Sequence, residues 1–345
     1  MNEKARIDRL IKRASAGGFE AGVILDSSSI YYLTASQSGG VLFVDSERSI
    51  LFSPPVNFTQ ALETSSEAVE CRRFKGGWPE ELKEFIGRRR FFFEAELLSC
   101  ENFSKLTSLG GEQAGFVSEM RSVKEPGEIE LIRRACRKAA EIVESVEPGR
   151  WMGKTEAELA GYLQMKAWQD GFSGCSFTPV VASGKNSARP HHMPSDDIIG
   201  FGWLKIDYGI RYKGYCSDLT RTLILSKFVS NFDSENLLGI LGEAKAAGEK
   251  KLRPGAVCSD IDSAVRGVLK RYGFEKYFTH GLGHGVGLDV HEGPRLVPES
   301  RTVLKESMVV TVEPGIYIRG AGGMRLEDTY LITSEGSEQL TRQSP

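Results

Sequence analysis

Leu204-Lys-Ile-Asp207-Tyr-Gly-Ile-Arg-Tyr-Lys-Gly-Tyr-Cys-Ser-Asp218-Leu-Thr-Arg-Thr222 is the stretch on which the reading of this chain turns. Gly209 and Gly214 punctuate it as a turn between two strands. Folded as a hairpin, it can bring Asp207 and Asp218 to adjacent positions on one face, because residues paired across antiparallel strands share a side. A second stretch, Val309 to Thr329, repeats the logic with Glu313 and Glu327 on either side of a turn marked by Gly320, Gly322 and Gly323. These acids stand beside Val309, Val310, Val312, Ile316 and Leu326, and a carboxylate among apolar strand residues is expensive to bury unless it is paired or holds a cation. Four such groups suggest a cation site. Taken singly, each acid also fits an ordinary ion pair, Asp218 with Arg221 or Glu327 with Arg325.

The histidines sharpen this. The chain has five: His191 and His192, then His280, His284 and His291 in Thr279-His-Gly-Leu-Gly-His284-Gly-Val-Gly-Leu-Asp-Val-His291-Glu-Gly-Pro-Arg295. Glycines around His280 and His284 are expected to let the backbone approach a ligand or metal closely. Three imidazoles in so short a segment point to a functional site. Four carboxylates and one imidazole, with no thiolate, form an oxygen-rich set that suits Mn, Co or Fe at least as well as Zn. Five ligands for a pair of ions require bridging carboxylates, the arrangement of two-metal hydrolases.

Outward from these segments, the pattern predicts two domains with a boundary near residue 118. Residues 1–118 alternate helix and strand: Ile7, Leu10 and Ile11 fit a helix, while Gly22 to Leu25, Gly40 to Val44 and Arg90 to Glu94 read as strands. Residues 119–345 begin with a helix opened by Glu125-Pro126 and carrying Ile129, Ile132, Cys136, Ala139, Val143 and Val146 on one face, which Pro148-Gly149 is expected to end. A second helix starts at a capping box, Thr155 with Glu158, and stops around Gly171-Phe172. Pro254-Gly255, a cap at Ser259, apolar Ile261, Val265 and Leu269 and a stop at Gly273-Phe274 echo that block, so an internal duplication is suspected.

Composition is globular, with 40% apolar and 26% charged residues and a net charge of -2, which favours neither nucleic acid nor an anionic membrane as partner. The six cysteines are scattered without a C-x-x-C pair and read as free thiols. Met1 to Arg6 leads into a charged amphipathic segment, so no secretion signal is expected and the cytoplasm is the default location.

Together, Ala182 to His191, Asp207 to Thr222, His280 to Pro294 and Glu313 to Asp328 resemble, in order, the superfamily of methionine aminopeptidase, aminopeptidase P and prolidase. The resemblance implies an α+β pita-bread catalytic domain with duplicated α/β halves over 119–345, preceded over 1–118 by a smaller creatinase/prolidase-like α/β domain. It implies that Asp207 chelates one divalent ion, His284 and Glu313 the other, and Asp218 and Glu327 both, with Mn or Co preferred over Zn or Fe. It also maps His191, His280 and His291 onto substrate-handling positions, leaves His192 a bystander, gives Arg325 an orienting role behind the carboxylates, and implies a homodimer. The expected reaction is hydrolysis of Xaa-Pro bonds in di- or oligopeptides, with Glu313 as proton acceptor. Arg295, whose fork could hold a free carboxylate, tilts the expectation towards a prolidase-like dipeptidase over aminopeptidase P. A reading from another class is a non-catalytic peptide-binding module of the same fold.

Overall fold

The computed structural model describes residues 2–96 and 98–342. The chain divides into two compact units between Arg121 and Ser122. The first is built on strands β1 (Ala21–Ile24), β2 (Val41–Asp45), β3 (Ser49–Ser53), β4 (Glu70–Arg73), β5 (Phe91–Phe93) and β6 (Glu112–Gln113), ordered β4-β3-β2-β1-β5-β6. β1 pairs antiparallel with β2 and parallel with β5, so the sheet is mixed. Helices α1 (Glu3–Ala16), α2 (Ser27–Thr34), α3 (Phe58–Thr64), α4 (Trp78–Ile86), α5 (Cys100–Ser108) and α6 (Phe116–Ser122) accompany it. Val23, Phe43, Phe52, Phe91 and Phe93 pack against Leu82, Ile86 and Leu106 as its core. Gly22 has to be glycine, because a Cβ there would stand 2.3 Å from the Phe92 ring.

The second unit runs through one plan twice. Its first half has α7 (Pro126–Glu144), a short α8 (Pro148–Trp151) and α9 (Glu156–Lys166), then β7 (Val180–Ser183), β8 (Trp203–Tyr208), a ribbon of β9 (Arg211–Tyr212) and β10 (Tyr215–Cys216), and β11 (Leu219–Ile224), with sheet order β11-β8-β7. A small ribbon, β12 (Phe228–Val229) and β13 (Phe232–Asp233), leads to α10 (Ser234–Glu249) and α11 (Cys258–Arg271). The second half continues with β14 (Gly283–Gly285), β15 (Glu292–Leu296), β16 (Val309–Val312), β17 (Gly315–Ile318), β18 (Gly322–Arg325), β19 (Asp328–Ile332) and β20 (Ser337–Gln339), the main sheet running β15-β14-β16-β19-β20 and β17-β18 forming a ribbon. Two helices, three antiparallel strands and one inserted ribbon recur in each half. Each half has its own apolar cluster, around Leu159, Leu204 and Ile206 in the first and around Leu241, Val265 and Val310 in the second.

Local signals behave as elementary rules require, with instructive exceptions. Both capping boxes form: Glu125 with Glu128 at α7, Thr155 with Glu158 at α9. α7 stops at Glu144, before Pro148-Gly149, and the proline instead opens the first turn of α8, where its missing N–H costs nothing. Ser259 is not the cap of α11. Val257 occupies that position, and the amides of Cys258 and Ser259 donate to the carbonyls of Thr302 and Ser300, so no hydroxyl is needed. No helix among the described residues is long and apolar enough to cross a membrane.

Candidate metal centre

The two acidic hairpins converge because both ladders break at matching places. Asp207 in β8 faces Thr220 of β11, and Asp218 lies two residues before that partner, in the gap before the β9-β10 ribbon. Side chains two apart on a strand share a face, so Asp218 and Thr220 stand on the side of Asp207. In the second half Val312 pairs with Asp328 and Gly315 with Arg325, which leaves Glu313 and Glu327 opposed in the corresponding gap. An isolated β-bridge is among the contacts that join the hairpins: the Glu327 amide donates to the Thr220 carbonyl at 3.1 Å, and Thr220 Oγ1 donates to Glu327 Oε2 at 2.7 Å.

β14 brings His284 to the same point. Its Nδ1–H donates to the Gly285 carbonyl at 3.1 Å, which leaves Nε2 as a lone pair 3.4 Å from Glu313 Oε1 and 3.6 Å from Asp218 Oδ2. The flanking glycines serve a different purpose from the expected one. A Cβ on Gly283 would stand 2.1 Å from the Thr311 carbonyl oxygen, so glycine permits strand to approach strand rather than backbone to approach a metal. Ligand atoms of Asp207, Asp218 and Glu327, of His284, Glu313 and Glu327, and of Asp218, His284 and His291 form three overlapping groups, each within 4.8 Å.

The electrostatics of this cluster are those of crowded, buried carboxylates. Burial, reinforced by Glu327 and other neighbouring carboxylates, holds Asp218 and Glu313 well above the usual carboxylate range. Burial and Asp207 push Glu327 up to about 7, against the pull of Arg325 and the Thr220 hydroxyl. Burial lowers His284 to about 3, keeping it a neutral ligand-type imidazole. Asp207 Oδ1, Asp218 Oδ1 and Glu327 Oε1 are buried without a hydrogen-bond partner among the described residues. Buried carboxylate oxygens are costly in that state, and a shared cation is what satisfies several at once.

Arg325 is the buried hub behind them. It donates from Nε to Thr220 Oγ1 at 2.9 Å, from Nη1 to Tyr317 Oη at 3.1 Å and from Nη2 to Asp207, with Nε 4.0 Å from Glu313 Oε2. The simple pairings Asp218–Arg221 and Glu327–Arg325 are not among the ion pairs of the described residues, and Arg221 binds Asp328 at 2.8 Å instead. A cavity of about 520 Å³ opens onto the cluster, and its lining includes His191, His280, His291, Arg295, Phe177 and Val297. His280 Nδ1–H donates to the Gly281 carbonyl at 2.8 Å, so its Nε2 accepts from Tyr317 Oη at 2.9 Å, and burial lowers it to about 3. Thr220, Tyr317, Glu156 and Lys205 escaped sequence reasoning, since a threonine or lysine within a strand and an acid in a helix's first turn each have an ordinary explanation.

The sequence profile of metallopeptidase family M24 matches residues 130–334, and that of the creatinase/prolidase N-terminal domain matches residues 6–134. The chain belongs to metallopeptidase family M24. This metallopeptidase is 34% identical to the Xaa-Pro dipeptidase of Pyrococcus furiosus over 98% of each chain. Its structure resembles that of the prolidase from Pyrococcus horikoshii OT3, with a TM-score of 0.89, 31% identity and 99% of both chains covered. It also resembles the X-Pro aminopeptidase from Thermotoga maritima, with a TM-score of 0.81, 30% identity and 98% of both chains covered. The metallopeptidase thus has the pita-bread architecture behind a creatinase-type N-terminal domain, and its family implies divalent metal ions. The three unpartnered oxygens and the all-oxygen-and-imidazole donor set fit that requirement.

Proposed function

We propose that this metallopeptidase hydrolyses Xaa-Pro bonds with two divalent ions held by Asp207, Asp218, His284, Glu313 and Glu327, Mn or Co ahead of Zn or Fe. The observation that carries the reading is the meeting of four carboxylates from two hairpins with the lone pair of His284, three of their oxygens lacking any other partner. When bound, such ions acidify a water so that hydroxide is available near neutral pH. Glu313, at the edge of the cluster and open to the cavity, accepts the proton of the attacking water. His191 and His291 face the same cavity and hold the scissile carbonyl as charge develops on its oxygen. Burial keeps His280 neutral, so it serves as a hydrogen-bonding group that orients Tyr317 and the substrate. Arg325 fixes Asp207 and Thr220 and so sets the directions of the carboxylates.

Arg295 lines the cavity and is exposed to it, which supports a free carboxylate as the far end of the substrate and hence a dipeptide preference. The second reading is an aminopeptidase P acting on longer peptides, favoured by the fold's similarity to an X-Pro aminopeptidase. A binding module without turnover has no use for the complete ligand set. The protein would work in the cytoplasm as a homodimer. Metal quantification coupled to assays of Ala-Pro against Ala-Pro-Pro tests the proposal. Two ions per chain and a higher kcat/KM on Ala-Pro are expected. Equal cleavage of the tripeptide removes the dipeptidase preference, and full activity of Asp207→Asn or Glu327→Gln at normal metal content refutes the assignment of the centre.

A further inference from the structure

His191 projects into the cavity, yet its imidazole makes no hydrogen bond to any described residue. Its placement thus depends on the backbone that carries it. That backbone belongs to the long connection between β7 and β8, which contains only one helical turn, Gly184–Ala188. Two fully buried polar side chains, Glu156 and Lys205, grip it. The Glu156 carboxylate, at the first position of α9, accepts from the Ser183 amide at 2.6 Å, Asn186 Nδ2 at 3.1 Å, His192 Nε2 at 2.7 Å, and the Ser195 amide and hydroxyl at 3.1 and 2.8 Å. Lys205 Nζ donates to the carbonyls of Ser187, Arg189 and Pro190 at 3.3, 2.7 and 3.1 Å.

Burial and the nearby Arg325 push Lys205 down to about 6, so what it brings to the connection is its hydrogen bonds rather than a fixed charge. Five donors surround the Glu156 oxygens and three carbonyls surround the Lys205 nitrogen, so neither has capacity left for a substrate. The grips end on the two neighbours of His191. Lys205, joined by Arg325 Nη1 at 3.4 Å, holds the Pro190 carbonyl on one side. On the other, Arg189 Nη1 donates to His192 Nδ1 at 3.4 Å, which makes Nδ1 the acceptor and Nε2–H the donor to Glu156. His192, read from the sequence as a bystander, is thereby a tether: Lys205 holds the peptide before His191, and Glu156 holds the side chain of the residue after it.

We propose that Glu156 and Lys205 are positioning residues of the reaction, acting through His191, with His192 as the link from Glu156. The inference rests on the assignment of His191 to the substrate carbonyl. Misplacing a reacting group by about 1 Å can cost roughly a hundredfold in rate, so Glu156→Gln and Lys205→Met should each lower kcat/KM on Ala-Pro by about ten- to a hundredfold, mainly through kcat. The same substitutions in a His191→Ala background should cost within about twofold, because the group they position is gone. Metal content should stay at the wild-type value, and amide exchange over residues 183–195 should accelerate in the metal-free Glu156→Gln protein. Ser195→Ala, which removes one donor and keeps the carboxylate, should give a smaller loss with the same dependence on background and serves if Glu156→Gln fails to fold. Equal fold-losses in both backgrounds, wild-type kcat/KM in the single variants, or lost metal would overturn the positioning role. Wild-type activity of His191→Ala alone would instead remove His191 from the chemistry, and this inference with it.

Discussion

Thr220→Val replaces a hydroxyl by a methyl of the same shape at a point where the two hairpins and the buried arginine meet. Thr220 Oγ1 donates to Glu327 Oε2 at 2.7 Å and accepts from Arg325 Nε at 2.9 Å, so the substitution strands an acceptor on one side and a donor on the other. A hydrogen bond to a charged group contributes roughly 1.5–3 kcal/mol. Loss of a group that orients a metal ligand typically weakens metal binding about ten- to a hundredfold, which at about 1.4 kcal/mol per tenfold corresponds to the same range. The two routes to a magnitude agree. Thr220 also lowers the proton affinity of Glu327, so in the variant the carboxylate holds its proton more tightly and metal uptake should shift to higher pH. Competition with a fluorescent chelator for Mn or Co, repeated between pH 6 and 8, measures both effects. Metal affinity within about twofold of wild type at every pH, in a folded variant, would refute the claim that this hydroxyl organises the centre.

His280 gives a pH prediction of defined sign. Its folded value of about 3 lies below the usual 6.5, so the unfolded chain takes up the proton first and stability falls as pH drops from about 6.5 towards 3. Between pH 7 and 5 this amounts to roughly 2 kcal/mol, and urea denaturation should show His280→Gln losing correspondingly less than wild type over that interval. Arg295→Ala should raise KM for Ala-Pro by about tenfold while changing that for Ala-Pro-Pro less, as steady-state kinetics would reveal. Leu241→Ala, at a fully buried position in the second half's cluster, should destabilise the protein by about 2–5 kcal/mol in denaturant titrations, with metal stoichiometry retained in the folded fraction.

The acidic hairpins were legible in sequence because their chemistry is anomalous: Asp207, Asp218, Glu313 and Glu327 interrupt apolar strands between turn glycines. The duplication was legible only in part. α10 carries Gly239, Gly242 and Gly248 among its apolar residues, which blurs its helical signal, although Gly248 is where a Cβ would stand 2.8 Å from Val265 in α11. Glu156 was hidden by a second adequate reason for its presence, since an acid in a first helical turn already suits the helix dipole. Lys205 lies in a strand whose residues are all buried, and one sequence cannot say that three carbonyls from the preceding connection will reach its Nζ. Residues that contact the cluster through backbone atoms of other segments leave no pattern along the chain, because their partners are fixed by the tertiary fold.

The seam at Thr220 and Glu327 has a consequence for how the protein could be taken apart. The donors proposed for the ions are split between the repeats, with Asp207 and Asp218 on one side and His284, Glu313 and Glu327 on the other. Neither repeat alone encloses the cage. A chain nicked in the β12-β13 ribbon would have to recombine its two fragments before chelating, and loading would become concentration-dependent where the intact polypeptide needs no second-order encounter.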